Sequence, residues 1–378
     1  MRSQNFRAEF LASYGANSTE VEELLAYNEN VFESSNLTKT INFPLPSEPH
    51  ISTWKSYVEE AQNIGVFPTL KQKLVQLSFP ISEGISQTPA YQAATRKGIV
   101  VDNIDENPGL VLQEPEKLQL IVHPSIAGEI PVIIAGNRAD FISLVQALTM
   151  RNQPKEVPDS MGACMVGGFN NWDRIRRYKQ QWEANNPNYT EADWNNEFRQ
   201  LIPSKELYQD RFIILSQGYY SNVSAEKLGI SEAEWQKKSL IIRLEHECTH
   251  YFTKRLFGVM RNNLLDEFIA DYRGICAAVG NYREDWFLNF MGLELFPSYR
   301  QGGRLENYRN RLSEGSFHIL KKLVFHAAKN LKNFEVEEVN KIDDTKMLVT
   351  LCQLTLEELA SNDIANHIYR ALSQIEIK

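Results

Sequence analysis

The chain has 378 residues, 43% hydrophobic and 23% charged, enough to bury more than one domain-sized core and too apolar for global disorder. With 40 basic against 48 acidic residues its formal net charge is −8, which argues against a protein built to coat nucleic acid. The amino terminus carries no signal-peptide run, no segment is apolar enough to span a bilayer, and Cys164, Cys248, Cys276 and Cys352 are scattered without a CxxC pair. The expected protein is cytoplasmic, with no nucleic-acid and no membrane partner.

In chain order, Thr19 and Glu22 have the spacing of a capping box that opens a first helix. A connector with Pro44, Pro46 and Pro49 follows. Helical patterns then cover about 51–64 and the segment LKQKLVQL, and 78–90 reads as loop. GLVL (109–112), KLQLIVH (117–123) and IPVIIA (130–135) read as short strands of a small sheet, followed by a helix over 139–150. The Gly-rich stretch 158–172 reads as a loop or irregular strand. WDRIRRYKQQW (172–182) reads as a polar helix with a solvated basic face, and RFIILS (211–216) as a strand. Beyond 231 the chain is largely helical. Ser231 and Glu234 open a helix to Phe257, closed by Gly258, and a second covers 264–279 and stops at Gly280. Further helices are expected over 312–331 and 344–361. The expected division is a helical region 1–105, a sheet-containing part 106–258 ending in the first of these helices, and a helical part 259–378.

The segment that carries chemistry is His246-Glu247-x-x-His250. Histidines four apart on a helix differ by only about 40° around the axis, so both imidazoles point the same way. Two converging imidazole nitrogens suit zinc. Glu247, about 100° away, is placed to take a proton from water at an open coordination position. Ile241, Leu244, Cys248 and Phe252 form an apolar stripe roughly opposite the histidines, with Glu245 at its edge in need of a partner. On the following helix Glu267 and Asp271 are also four apart. They share a face with the small residues Gly274 and Ala278, while Leu265, Phe268, Ile269, Tyr272 and Cys276 form the other face. Residues 259–263 allow the second helix to return antiparallel over the first.

His-Glu-x-x-His followed by DEFIAD resembles the gluzincin zinc metallopeptidases, the thermolysin-like set, over residues 246–271. The resemblance implies an α+β, zincin-like fold with a small mixed sheet, active-site helices and helical N- and C-terminal regions. It implies one Zn2+ per chain on His246, His250 and Glu267, with Glu247 as general base. Asp271 would accept the ring N–H of a ligand histidine, His246 foremost, and Asp266 would support the other. The interval from His250 to Glu267 is a few residues shorter than in that family. A downstream His or Tyr would stabilise the oxyanion; the candidates are His318, His326, Tyr272 and Tyr282, with Arg273 and Arg304 beside them. By the same resemblance RFIILS is the edge strand that would hold a substrate by β-augmentation, and the substrate is a peptide or protein. The alternative is a zincin-fold binding or regulatory protein without turnover. A carboxylate-bridged di-iron site needs a second Glu-x-x-His step, which the sequence lacks.

Overall fold

The computed structural model describes residues 4–32, 41–99, 109–259, 263–337 and 342–375. The chain forms two compact units: Pro46–Gly218, and Met1–Leu45 joined with Tyr219–Lys378. This division differs from the expected one. Residue 258 falls inside the discontinuous unit, and the expected boundary after 105 lies outside the described residues.

The discontinuous unit begins with α1 (Gln4–Ser13) and α2 (Ser18–Tyr27). The capping box of α2 is formed by Asn17 and Glu20, two residues before the expected pair, because Asn17 accepts the backbone N–H of Glu20 and Glu20 accepts that of Asn17.

The continuous unit holds α3 (Ile51–Ile64), α4 (Val66–Lys73), α5 (Pro89–Lys97), β1 (Gln119–His123), β2 (Ile130–Ile134), α6 (Arg138–Thr149), β3 (Ala163–Asn170), α7 (Trp172–Asn185), α8 (Glu191–Leu201) and β4 (Gln209–Leu215). The strands form one mixed sheet in the order β1-β2-β4-β3. β1–β2 and β3–β4 are antiparallel and β2–β4 is parallel. All five residues of β2 are buried, as a β-branched run with neighbours on both sides requires. The Gly-rich stretch forms β3, with a register shift between Gly167 and Phe169 where Gly168 takes φ 70°. RFIILS is not an edge strand: within β4, Ile213 pairs with Val132 on one side and Met165 on the other. GLVL is not a strand either, although Leu110 and Leu112 reach the core formed by Trp54, Phe141, Leu144, Phe212 and Ile214. Arg174, expected on a solvated face, is buried against Asp210, which also accepts from Trp54 Nε1 and Asn171 Nδ2.

The discontinuous unit resumes with α9 (Glu232–Phe257), α10 (Leu264–Val279), α11 (Glu284–Met291), α12 (Glu314–Glu337), α13 (Asp344–Leu351), α14 (Leu356–Ala360) and α15 (Ile364–Leu372). The helix expected over 344–361 is two helices, because Thr355 starts a new capping box with Glu358. α9 and α10 run antiparallel: Lys238 Nζ donates to the Ala278 carbonyl at one end, and His250 meets Glu267 at the other. Gly274 lets them approach, since a Cβ there would stand 2.7 Å from the carbonyl oxygen of Ile242. The fold is thus α-plus-β and mostly helical, with fifteen α-helices and four strands among the described residues. No helix among them is long and apolar enough to cross a membrane, and Cys248, Cys276 and Cys352 are free thiols.

Candidate metal centre

Local signals set the two helices that carry the site. Ser231 caps α9 through the backbone N–H of Glu234, and Gly258 ends it at φ 73°. Asn263 caps α10 through the N–H of Asp266, which leaves the Asp266 side chain free to turn inward. Residues 260–262 of the connection lie outside the described residues. The apolar stripe of α9 is displaced from its expected position. Ile241 is 40% exposed and Leu244 half-buried, whereas Ile242, Cys248, Tyr251 and Phe252 are buried. Glu245 pairs with Arg273 of α10 at 3.6 Å. α10 is buried on both faces over its first nine residues.

His246, His250 and Glu267 come together and are all buried. The two Nε2 atoms are 3.1 Å apart. Glu267 Oε2 is 3.4 Å from His246 Nε2, and Oε1 is 3.5 Å from His250 Nε2. Donors about 2.0–2.1 Å from a tetrahedral zinc stand roughly 3.3 Å from one another. The three donors therefore already have the spacing that such an ion needs.

Each ring is held from behind by an acid. His246 Nδ1 lies 2.9 Å from Asp271 Oδ1. His250 Nδ1 lies 3.0 Å from Asp266 Oδ2, off the direction of a full hydrogen bond. Asp266 also accepts weakly from Thr253 Oγ1 at 3.4 Å. Both contacts put an acid behind Nδ1 and turn the Nε2 side of each ring toward Glu267.

Charge makes the cluster unusual. Asp266 and Asp271 are 0% exposed and Glu267 is 5% exposed. Among the described residues the ion pairs of Asp266 and Glu267 are with the two histidines alone, and Asp271 adds Arg304. Burial opposes a charge on either imidazole, yet Asp271 and Glu267 hold His246 above its ordinary pKa. Asp266 and Glu267 hold His250 well above it. Burial would raise Glu267, but the two histidines keep its carboxyl well below the usual range.

Glu247 is half-buried on α9, and none of the hydrogen bonds or ion pairs of the described residues engages its carboxylate. Among the described residues, none of the tyrosines and histidines expected as oxyanion donors bonds His246, His250 or Glu267. Tyr272 donates to Glu335, and His326 is bonded to Tyr14. His318 is exposed, and Tyr282 is buried without a hydrogen bond on its hydroxyl. Arg273 pairs with Glu245 and Asp344. Arg304 does reach the site: it pairs with Asp271 and donates to Tyr220 Oη at 2.8 Å.

Two phenols join it that the sequence does not single out. Tyr220 donates to Asp271 Oδ1 at 2.6 Å and lies 2.9 Å from His246 Nδ1. Its placement is set by Ser221 and Asn222, both at positive φ (52° and 53°), a strained pair beside a buried polar network. Tyr308 donates to Glu267 Oε2 at 2.7 Å. The sequence hint is slight: Arg304 and Tyr308 repeat the four-residue spacing of Asp271 and Glu267.

No curated protein and no solved structure matches the chain. A family described as "Family of unknown function (DUF7005)" matches residues 9–363. Spanning nearly its whole length, that match makes the chain a member of the DUF7005 family.

Proposed function

We propose that the chain is a zinc-dependent metallopeptidase of zincin-like fold, holding one Zn2+ on His246, His250 and Glu267, with Glu247 as general base. One observation carries the reading. Three buried donors converge at tetrahedral spacing, and the ion-paired carboxylates around them outnumber the guanidinium by two charges. A divalent cation fits both the donor set and the charge. Zinc there would supply Lewis acidity toward a water and toward a peptide carbonyl oxygen.

The chain's own groups do the remaining work. Asp271 and Asp266 fix the tautomer and orientation of the two rings. Glu247, free of donors among the described residues, takes a proton from water and returns it to the leaving amine. Burial of His246, His250 and Glu267 strengthens every charge interaction in the set. The substrate is a peptide or protein, and the compartment is the cytoplasm, in keeping with only four cysteines scattered along the chain without a CxxC pair.

The test pairs metal analysis with two variants. Zinc should co-purify near one per chain in wild type and in Glu247→Gln, and be lost in His246→Ala. Glu247→Gln should slow hydrolysis of a peptide library by about 10²–10⁴-fold. Absence of zinc from the wild type refutes the reading. Zinc retention with full cellular function in Glu247→Gln replaces it with a binding or regulatory protein without turnover.

A further inference from the structure

We propose that Tyr308 is a positioning residue that biases Glu267 toward ligation through one oxygen, keeping a coordination position open; this rests on the metal reading above. The Glu267 carboxylate straddles the two imidazoles, Oε2 facing His246 and Oε1 facing His250 at nearly equal distances of 3.4 and 3.5 Å. Carboxylates bind metals through one oxygen or two, and a symmetric placement favours two. Two oxygens from Glu267 would fill the position that a catalytic zinc must leave for water or substrate.

Tyr308 breaks that symmetry. Its hydroxyl donates to Oε2 at 2.7 Å and draws charge from that oxygen, which makes Oε1 the stronger donor. The phenol is itself held in place. Its backbone carbonyl accepts from Tyr27 Oη of α2 at 2.6 Å, and it ends the short turn Arg304–Tyr308. Arg304, the first residue of that turn, grips Asp271. One turn thus holds two of the three acids of α10, residue against residue: Arg304 on Asp271 and Tyr308 on Glu267. Tyr308 touches the ligand carboxylate and acts through it.

The experiment loads the full chain with Co2+ in place of zinc and reads visible absorption and stoichiometry, whose pattern reports coordination geometry. Wild type should show the intense bands of a four-coordinate ion. Tyr308→Phe should keep one Co2+ per chain with weaker bands at shorter wavelength. Tyr27→Phe, which loosens only the carbonyl pin, should shift the spectrum the same way by less. An unchanged spectrum in Tyr308→Phe overturns the proposal. So does loss of Co2+ from that variant, which would make Tyr308 a brace for the whole ligand set. If Tyr308→Phe fails to fold, an unchanged spectrum in Tyr27→Phe overturns it, and the expected smaller shift supports it. A wild-type chain that takes up neither Co2+ nor zinc overturns the metal reading and this one together. Bound metal without peptide hydrolysis overturns only the assigned activity.

Discussion

Stripping the metal should make the helical unit lose stability as pH rises, while the zinc-loaded chain should not. Without metal the positive charge of the cluster rests on the imidazoles. Burial opposes it, but the neighbouring acids hold His246 above, and His250 well above, the ordinary value of 6.5. A base whose folded pKa exceeds its unfolded one adds stability that is fully present below 6.5 and lost as pH climbs through the folded value. Glu267 behaves in the opposite sense. Its pKa is depressed, so its contribution is present above the ordinary 4.5 and lost as pH falls through the folded value. The stripped chain is therefore firmest between about pH 4.5 and pH 6.5, and weakens above that window. Zinc displaces up to two protons. Its stabilising effect then grows by at most about 2.7 kcal/mol per pH unit, at about 1.36 kcal/mol for each proton. At roughly 2–4 °C per kcal/mol for a unit of this size, the gap between zinc and EDTA midpoints widens by up to about 5–11 °C per pH unit. Scanning calorimetry at about pH 6, 7 and 8, with zinc and with EDTA, measures the gap, whose slope counts protons. A gap that stays constant or narrows toward alkaline pH would refute the reasoning.

Gly274→Ala should lower the thermal midpoint, although alanine in an open helix gains about 1 kcal/mol over glycine. Its Cβ would stand 2.7 Å from the Ile242 carbonyl, and overpacking of about 1–3 kcal/mol outweighs the propensity gain; a raised midpoint would show that α9 and α10 separate freely. Asp271→Asn keeps the shape of the side chain but removes the charge behind His246. Competition with a chromogenic chelator should show zinc affinity reduced by about 10–100-fold, and an unchanged affinity would remove Asp271 from the site's support.

The helices that carry the site were legible because their signals are local. Ser231, Gly258 and Gly280 are caps that act within one turn of their helices. His246 with His250, and Glu267 with Asp271, needed only the helical repeat to be set facing one another. What escaped depends on residues distant in sequence. Tyr220 reaches Asp271 across 51 positions and Tyr308 reaches Glu267 across 41, and no periodicity links such pairs. The same holds for the sheet. RFIILS is a strand on its own composition, but its interior place follows from pairing with β2 and β3. Ile241 was misplaced because burial around α9 comes from several directions, so one apolar stripe does not describe it.

The helical unit is built from both ends of the chain, and this sets an order in time. Arg7 bonds Glu357 across 350 positions, Ser313 bonds Glu23 across 290, and Tyr27 bonds Tyr308 across 281. At a ribosomal pace of about 5–20 residues per second, α1 and α2 wait on the order of tens of seconds for these partners. The intervening unit has left the tunnel by then and can fold first. Leu11 and Leu24, destined for the interior, stay uncovered in that interval. A message that ends between residues 218 and 246 yields a polypeptide with every strand of the sheet and none of the three clustered donors His246, His250 and Glu267.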